Sequence, residues 1–272
     1  LMIPGEAYGG PGGGGGGGET YIQREWMDAH RGSVYCLDYS SKTKLFASGS
    51  NDKTVRLGKV DSPLLSPPMK GHTGTVRVVC FGPSMGSSSS GGGGGGGGKS
   101  SNSSGNGGLH LVASGGGGDF KPRLWDVNTG SSHSVLSAHQ ACIHGISWLD
   151  PVTLITGCEG GAIIAHDLRM SGAAWRFDLP APVCTLQRME VPLDAGNSYC
   201  VAGGTSGVVT VFNARNGHIY ASSRVHGDDV RSLCVIPAPS IPQRGFSGVS
   251  KMKSASGLPL LFTTSYDGSA AM

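Results

Sequence analysis

Short runs of alternating or wholly apolar residues recur along the chain, separated by clusters of Gly, Ser, Asn and Asp, the pattern expected of β-strands joined by tight turns. Thr20–Met27 (TYIQREWM) alternates and is rich in β-branched and aromatic residues, so it is expected to form a strand. Ala29-His30 then leads into SVYCLDY (Ser33–Tyr39), a second strand; SSKT turns the chain, LFASGS makes a third strand, Asn51-Asp52-Lys53 turns it again, and TVRLGKV makes a fourth. Four short strands in about forty residues is the size of one propeller blade.

The pattern then returns. Gly71-His72 precedes TVRVVCF, LHLVAS resumes the unit, and RLWDV follows; the third unit runs from Ala138-His139 through CIHGISW, TLITG and AIIAHDL. The fourth, PVCTLQRM, YCVAGG and GVVTVFN, lacks the His pair, and the fifth starts at Val225-His226 with DVRSLCVI, then PLLFTTS and Tyr266-Asp267-Gly268. Two inserts, about 83–107 and 237–257, fall at one place, between the first and second strands of their units. Connecting loops tolerate such additions because closure entropy grows slowly with length. The expectation is an all-β propeller of about five blades over 20–272, preceded by a flexible tail, 1–19, that carries Gly12–Gly18. The first residue is Leu and the fifth unit stops at its third strand, which predicts a segment of a longer ring, seven-bladed by the habit of the WD-repeat family that these units resemble.

Composition changes this picture little. Glycine numbers 48, charged residues are 14%, and the formal net charge of +3 is too weak a bias to argue for nucleic acid or an anionic membrane. No stretch of roughly 18 apolar residues suggests a membrane span, and no signal-peptide pattern opens the chain. Cys36, Cys80, Cys142, Cys158, Cys184, Cys200 and Cys234 are odd in number and contain no C-x-x-C, so buried thiols in a reducing compartment are expected rather than disulfides or zinc.

These units resemble the WD-repeat family, in which a Trp, a Ser or Thr, a His and an Asp form a hydrogen-bonded chain within each blade. The chemistry is sound: a buried Trp N–H needs an acceptor, a hydroxyl passes a bond on, a neutral His does so through its two nitrogens, and an Asp ends the chain. By this resemblance the second unit places His72, Ser114, Asp119 and Trp125, with one extra residue between Ser114 and Asp119. The first places His30, Ser48 and Asp52, with Gly58 at the Trp position. The third keeps His139 and Thr156, with Gly160 for Asp and His166 for Trp. The fourth has Ala202, Ser206 and Phe212; the fifth has His226, Thr263 and Asp267, its Trp position falling at 273.

A narrower resemblance rests on SVYCLDYSSKTKLFASGSNDKTVRL, the GHTGTVR and DLR units, and DVRSLCVI…LFTTSYDG: these are similar to the C-terminal propeller of the nemitin family of WD-repeat proteins. That resemblance implies a microtubule-associated protein of the cytoplasm and cytoskeleton, placed in the central apparatus of the ciliary or flagellar axoneme. It implies tubulin, microtubule-associated or axonemal proteins as partners, and the Gly and Ser inserts resemble those of green-algal members.

The remaining candidate chemistry is sparse. Gly93–Ser100 matches the phosphate-loop pattern, but SSSS precedes it and SNSSGNGG follows, so the strand and helix that aim backbone N–H groups at phosphate are missing. His144 and His166 have no carboxylate or Cys at ligand spacing, so no metal site is expected; nor is any catalytic residue, cofactor or small-molecule substrate. Asp167-Leu168-Arg169 resembles the step by which some WD-repeat proteins dock on a cullin-type ubiquitin ligase adaptor, making Arg169 a candidate partner-binding residue. Arg24, Lys42, Lys44, Lys53, Arg56 and Lys59 give the first unit a basic excess suited to an acidic lattice.

Overall fold

The computed structural model describes residues 29–60, 62, 66–83, 110–136, 139–189, 198–236 and 259–272. The expected strand Thr20–Met27, the Gly-rich tail, residues 84–107 and 237–257 of the two inserts, Gly93–Ser100 and Arg24 lie outside these residues. The described residues form five antiparallel sheets, one per blade, in a propeller arrangement.

The first blade comprises β1 (Val34–Ser40), β2 (Leu45–Ser50), β3 (Thr54–Lys59) and β4 (Met69–Lys70). The second comprises β5 (Val76–Phe81), β6 (Leu111–Gly116), β7 (Arg123–Asp126) and β8 (Ser132–Val135). The third comprises β9 (Ile143–Asp150), β10 (Thr153–Cys158), β11 (Ala162–Asp167) and β12 (Ala173–Asp178). The fourth comprises β13 (Val183–Met189), β14 (Tyr199–Gly204), β15 (Val208–Asn213) and β16 (Ile219–Arg224). The fifth, among the described residues, comprises β17 (Val230–Ile236), β18 (Leu260–Ser265) and β19 (Ala270–Ala271). Both inserts connect the first strand of a blade to the second, β5 to β6 and β17 to β18.

One expectation is corrected. The first blade takes its four strands from 34–70, not from 20–60: its outermost strand is Met69–Lys70, paired Val55 to Met69 and Thr54 to Lys70. The reason lies in packing rather than in alternation. Met69 is buried beside Val55, Leu57 and Trp125, filling the seam between the first two blades.

Adjacent blades lock by a repeated plug and socket. The first residue of each inner strand from β5 onward is fully buried: Val76, Ile143, Val183 and Val230. Each presses on a glycine of the preceding blade. A Cβ on Gly49 would stand 2.5 Å from Val76, one on Gly115 2.8 Å from Ile143, one on Gly157 2.7 Å from Val183, and one on Gly203 2.7 Å from Val230. Close backbone approach explains glycine at these strand positions, where it otherwise weakens a sheet. In the fifth blade the equivalent position is Thr264, which pairs with Ser232 as Gly203 pairs with Thr185. Val34, the equivalent plug of the first blade, is 55% exposed.

Each inner strand also carries a register shift at one place, between its first and third residues. Tyr35, Arg77, His144, Cys184 and Arg231 are the extra residues of these bulges. A bulge leaves one residue unpaired and re-aims it. The fold therefore sets five side chains at equivalent positions where the inner strands begin.

Candidate functional site

Two layers of residues occupy that end of the propeller: the bonded chains that brace the turns, and the bulge residues in front of them. In the second blade Trp125 Nε1 donates to Ser114 Oγ at 2.7 Å, and Ser114 Oγ lies 2.7 Å from His72 Nε2. A hydroxyl that accepts from Trp125 donates onward to His72, which leaves the His proton on Nδ1, 3.5 Å from Asp119. Asp119 also accepts from Arg123 at 2.9 Å. Burial holds the His72 pKa below its ordinary value. Burial works against the Asp119 carboxylate, but bonds from Arg123 and His72 outweigh it and lower its pKa.

The first blade has no aromatic at the Trp position, where Gly58 stands opposite Phe46. His30 still bridges Ser48 (2.8 Å) and Asp52 (3.0 Å). Burial disfavours the Asp52 carboxylate, but bonds from Thr54, Arg31 and His30 bring its pKa down to about 2. In the fifth blade His226 lies 2.7 Å from Thr263 and 2.7 Å from Ser269 Oγ. Ser269 donates to Asp267 at 2.6 Å, relaying the bond that would otherwise span 3.6 Å from His226 to Asp267. Thr54 and Ser269 were not among the expected residues. Their signal is a hydroxyl two residues after the turn aspartate, in Asp52-Lys53-Thr54 and Asp267-Gly268-Ser269.

The third and fourth blades depart from this scheme. Thr156 Oγ1 stands between His139 Nε2 (2.6 Å) and His166 Nε2 (3.0 Å). Gly160 offers no side-chain acceptor, and the buried His139 Nδ1 has no hydrogen-bond partner among the described residues. Burial pushes both histidines down to about 4, with His166 and Arg176 adding to the effect on His139. In the fourth blade polar bracing gives way to packing. Ala202 and Phe212 are buried, and Phe212 meets Trp175 and Phe177 edge-on at 6.2 and 5.2 Å. Ser206 takes a left-handed φ of 66°, and its N–H donates to Asp229.

The bulge residues differ from blade to blade. The Arg77 guanidinium lies 4.4 Å over the Tyr35 ring, and Arg231 lies 4.7 Å over Tyr266. They share one region of space: the charge of Arg77 acts on Cys142 and His144, and that of Arg231 on His144 and Cys184. Here the fold brings two ligand-capable side chains to His144. Ligand atoms of Cys142, His144 and Glu159 all lie within 4.8 Å of one another. They were missed because the pairing of β9 with β10, not chain spacing, brings Glu159 back beside residues 142 and 144.

The other candidates are dispersed. Arg169 is 70% exposed and paired with Asp167 at 2.6 Å, closing its own turn. The basic residues of the first blade form no single face. Lys42, Lys44 and Lys59 sit at one end of the strands and Lys53 at the other, while Arg56 is half-buried and donates to the Ser66 carbonyl. The cysteines are free thiols: Cys158 and Cys200 are buried, four are half-buried, and Cys234 is exposed, contrary to a uniformly buried set. No helix among the described residues is long and apolar enough to cross a membrane.

The WD domain, G-beta repeat family matches residues 22–57, the stretch that carries His30, Ser48 and Asp52. The chain is also similar to nuclear distribution protein nudF 2 of Penicillium rubens, 38% identical over 56 residues, which are 21% of this chain and 12% of that protein. Five bladed sheets in a propeller arrangement, together with the repeat match, make the chain a WD-repeat β-propeller.

Proposed function

We propose that this propeller is a non-catalytic docking module in a microtubule-based assembly of the cytoplasm and cytoskeleton, foremost the central apparatus of a ciliary or flagellar axoneme. The observation that carries the docking reading is the contrast between the two layers at the inner-strand starts. Behind, the chain repeats one bracing scheme in the first, second and fifth blades. In front, the same bulge position holds Tyr35, Arg77, His144, Cys184 and Arg231, each of different size or charge from its neighbours. A rigid frame that presents unlike side chains at equivalent positions suits recognition, for which loops and rims on a stable scaffold are the usual place.

The microtubule-based setting rests on the resemblance of the SNDK turn and the DVRS…SYDG unit to the nemitin family. The similarity to a nuclear distribution protein is in keeping with it. The ring-stacked Arg77 and Arg231 suit an acidic partner surface, since a guanidinium over an aromatic keeps its charge while losing little freedom. Co-sedimentation with microtubules, together with retention in salt-extracted axonemes, tests the setting. Recovery in either fraction supports it, and absence from both overturns it.

A second reading, substrate receptor of a cullin-type ubiquitin ligase, is favoured only by the exposure of Arg169. Its side chain is spent on Asp167, so the docking step would have to break that pair. Adaptor pull-down that is unchanged in Arg169→Ala removes this reading.

A further inference from the structure

We propose that Cys142, His144 and Glu159 form a zinc site at the start of the third blade's inner strand, with one coordination position left open.

The site grows out of a geometry that every blade repeats. In all five, the first residue of the turn after the second strand donates its N–H to the carbonyl just before the inner strand. These bonds run from Asn51 to Ser33, Gly117 to Thr75, Glu159 to Cys142, Thr205 to Pro182 and Tyr266 to Asp229, at 2.8–3.3 Å. The bulge residue follows two positions later. Three positions per blade are thereby brought together: the residue before the strand, the bulge and the turn. In the fifth blade their proximity is visible directly, since the bulge Arg231 lies over the turn Tyr266.

Only the third blade fills all three with metal-ligand chemistry. The sets are Ser33, Tyr35 and Asn51; Thr75, Arg77 and Gly117; Cys142, His144 and Glu159; Pro182, Cys184 and Thr205; and Asp229, Arg231 and Tyr266. The ligand atoms of the third set already lie within 4.8 Å of one another. Zinc bonds of about 2.0–2.3 Å at tetrahedral angles put ligand atoms roughly 3.3–3.7 Å apart. Closing the difference takes about one ångström, and Glu159, exposed at the turn, has the rotamer freedom to supply it.

The donor set points to the metal. One thiolate and one imidazole exclude the hard cations Ca²⁺ and Mg²⁺, which take oxygen ligands, and fit Zn²⁺. A thiolate and a carboxylate supply two negative charges against the dication, with the imidazole neutral. That balance is needed here, because Arg77 and Arg231 also face the group. Three protein ligands leave a fourth position for water or for a donor from a docked molecule.

The same site explains a local departure from the repeat. The third-blade turn, Cys158-Glu159-Gly160-Gly161, lacks the aspartate that ends the bonded chain in its first, second and fifth counterparts. It offers instead a carboxylate one residue earlier, on the side of Cys142 rather than of His139.

The test is metal binding to the untagged, chelator-stripped full chain, with no partner present. Zinc titration should reach one equivalent per chain, and Co²⁺ in its place should give a thiolate-to-cobalt charge-transfer band. Cys142→Ser should abolish that band, and His144→Ala and Glu159→Gln should each weaken zinc binding by at least the roughly 10- to 100-fold that even outer-shell partners produce. Cys184→Ser, one blade away, should leave the band intact, and unchanged melting curves would show each variant folded. Zinc uptake well below one equivalent, a band that survives in Cys142→Ser, or preferential uptake of Ca²⁺ or Mg²⁺ would overturn the assignment.

Discussion

The second and third blades have the same strand register and different interiors. Ser114 faces Arg123 and Val112 faces Trp125 in one; Thr156 faces Ile164 and Leu154 faces His166 in the other. The hydroxyl and the first histidine are in place in both. What differs is the two ends of the chain: Trp125 and Asp119 become His166 and Gly160. With both ends present, every bond has a donor and an acceptor. Without them, two histidines share one hydroxyl and, among the described residues, His139 Nδ1 is left without a partner. The comparison teaches that the register of a blade survives without its full polar chain, because packing carries it. Ile155, Ile163 and Val183 are fully buried around the third and fourth blades, and Leu154 and Ile164 around the second and third. The polar chain adds bracing and a particular response to acid.

The largest expected effect breaks the comparison at its strong end. Trp125 is buried and bonded to Ser114, so Trp125→Ala should cost about 3–5 kcal/mol in urea unfolding, the usual range for a buried aromatic truncation. A loss below about 1 kcal/mol would place Trp125 outside the brace.

The next effect is largest in the third blade. His139 and His166 have folded-state pKa values of about 4 against an ordinary 6.5. The unfolded chain therefore takes up protons first as pH falls, so stability is full above about 6.5, declines between about 6.5 and 4, and levels off below. At about 1.4 kcal/mol per unit, each site contributes at most roughly 3 kcal/mol, less where local opening admits water. The Asp52 carboxylate, depressed to about 2, acts in a lower window, stabilising above its ordinary 3.8 and losing its contribution as pH falls toward 2. Urea midpoints measured from pH 7 to pH 4 should fall across the histidine window, and a flat profile would show that these imidazoles are solvated.

A smaller effect restores what the third blade lacks. Gly160→Asp should give His139 Nδ1 an acceptor, and a Cβ there meets only Ala141 and Cys158, at 3.4 and 3.6 Å. The expected gain is about 1–2 kcal/mol, the cost of an unsatisfied buried group removed, together with a shallower loss between pH 6.5 and 4. Destabilisation by this substitution would mean that the turn cannot hold an aspartate. Smallest of all, Arg169→Ala should leave the melting temperature unchanged, because its ion pair lies in solvent.

Much of the fold was legible in the chain. The inner three strands of each blade combine apolar runs with Gly- and Asp-rich turns, so their pattern announces them. The outer strands were not read. Ser132–Val135 and Ile219–Arg224 are largely exposed, so no alternation marks them, and Met69–Lys70 is too short to show any. Within the site, residues implied by the WD-repeat resemblance, such as His72, Ser114 and Trp125, lie within bonding distance of one another in the structure. Residues that meet only through a bulge were not read. Arg77, His144 and Arg231 look like ordinary strand positions until the pairing shows an extra residue at the start of each inner strand. The relay hydroxyls Thr54 and Ser269 were missed because the family pattern ends at the aspartate.

The central claim is that bracing and recognition are separate layers: the bonded chains hold the frame, and the bulge residues meet the partner. The most direct test is the double charge reversal Arg77→Glu with Arg231→Glu, both exposed and outside every bonded chain. Melting curves and microtubule or axoneme co-sedimentation should be read on the same preparation. The account predicts an unchanged melt with binding lost. Binding that persists in a folded double variant would contradict it.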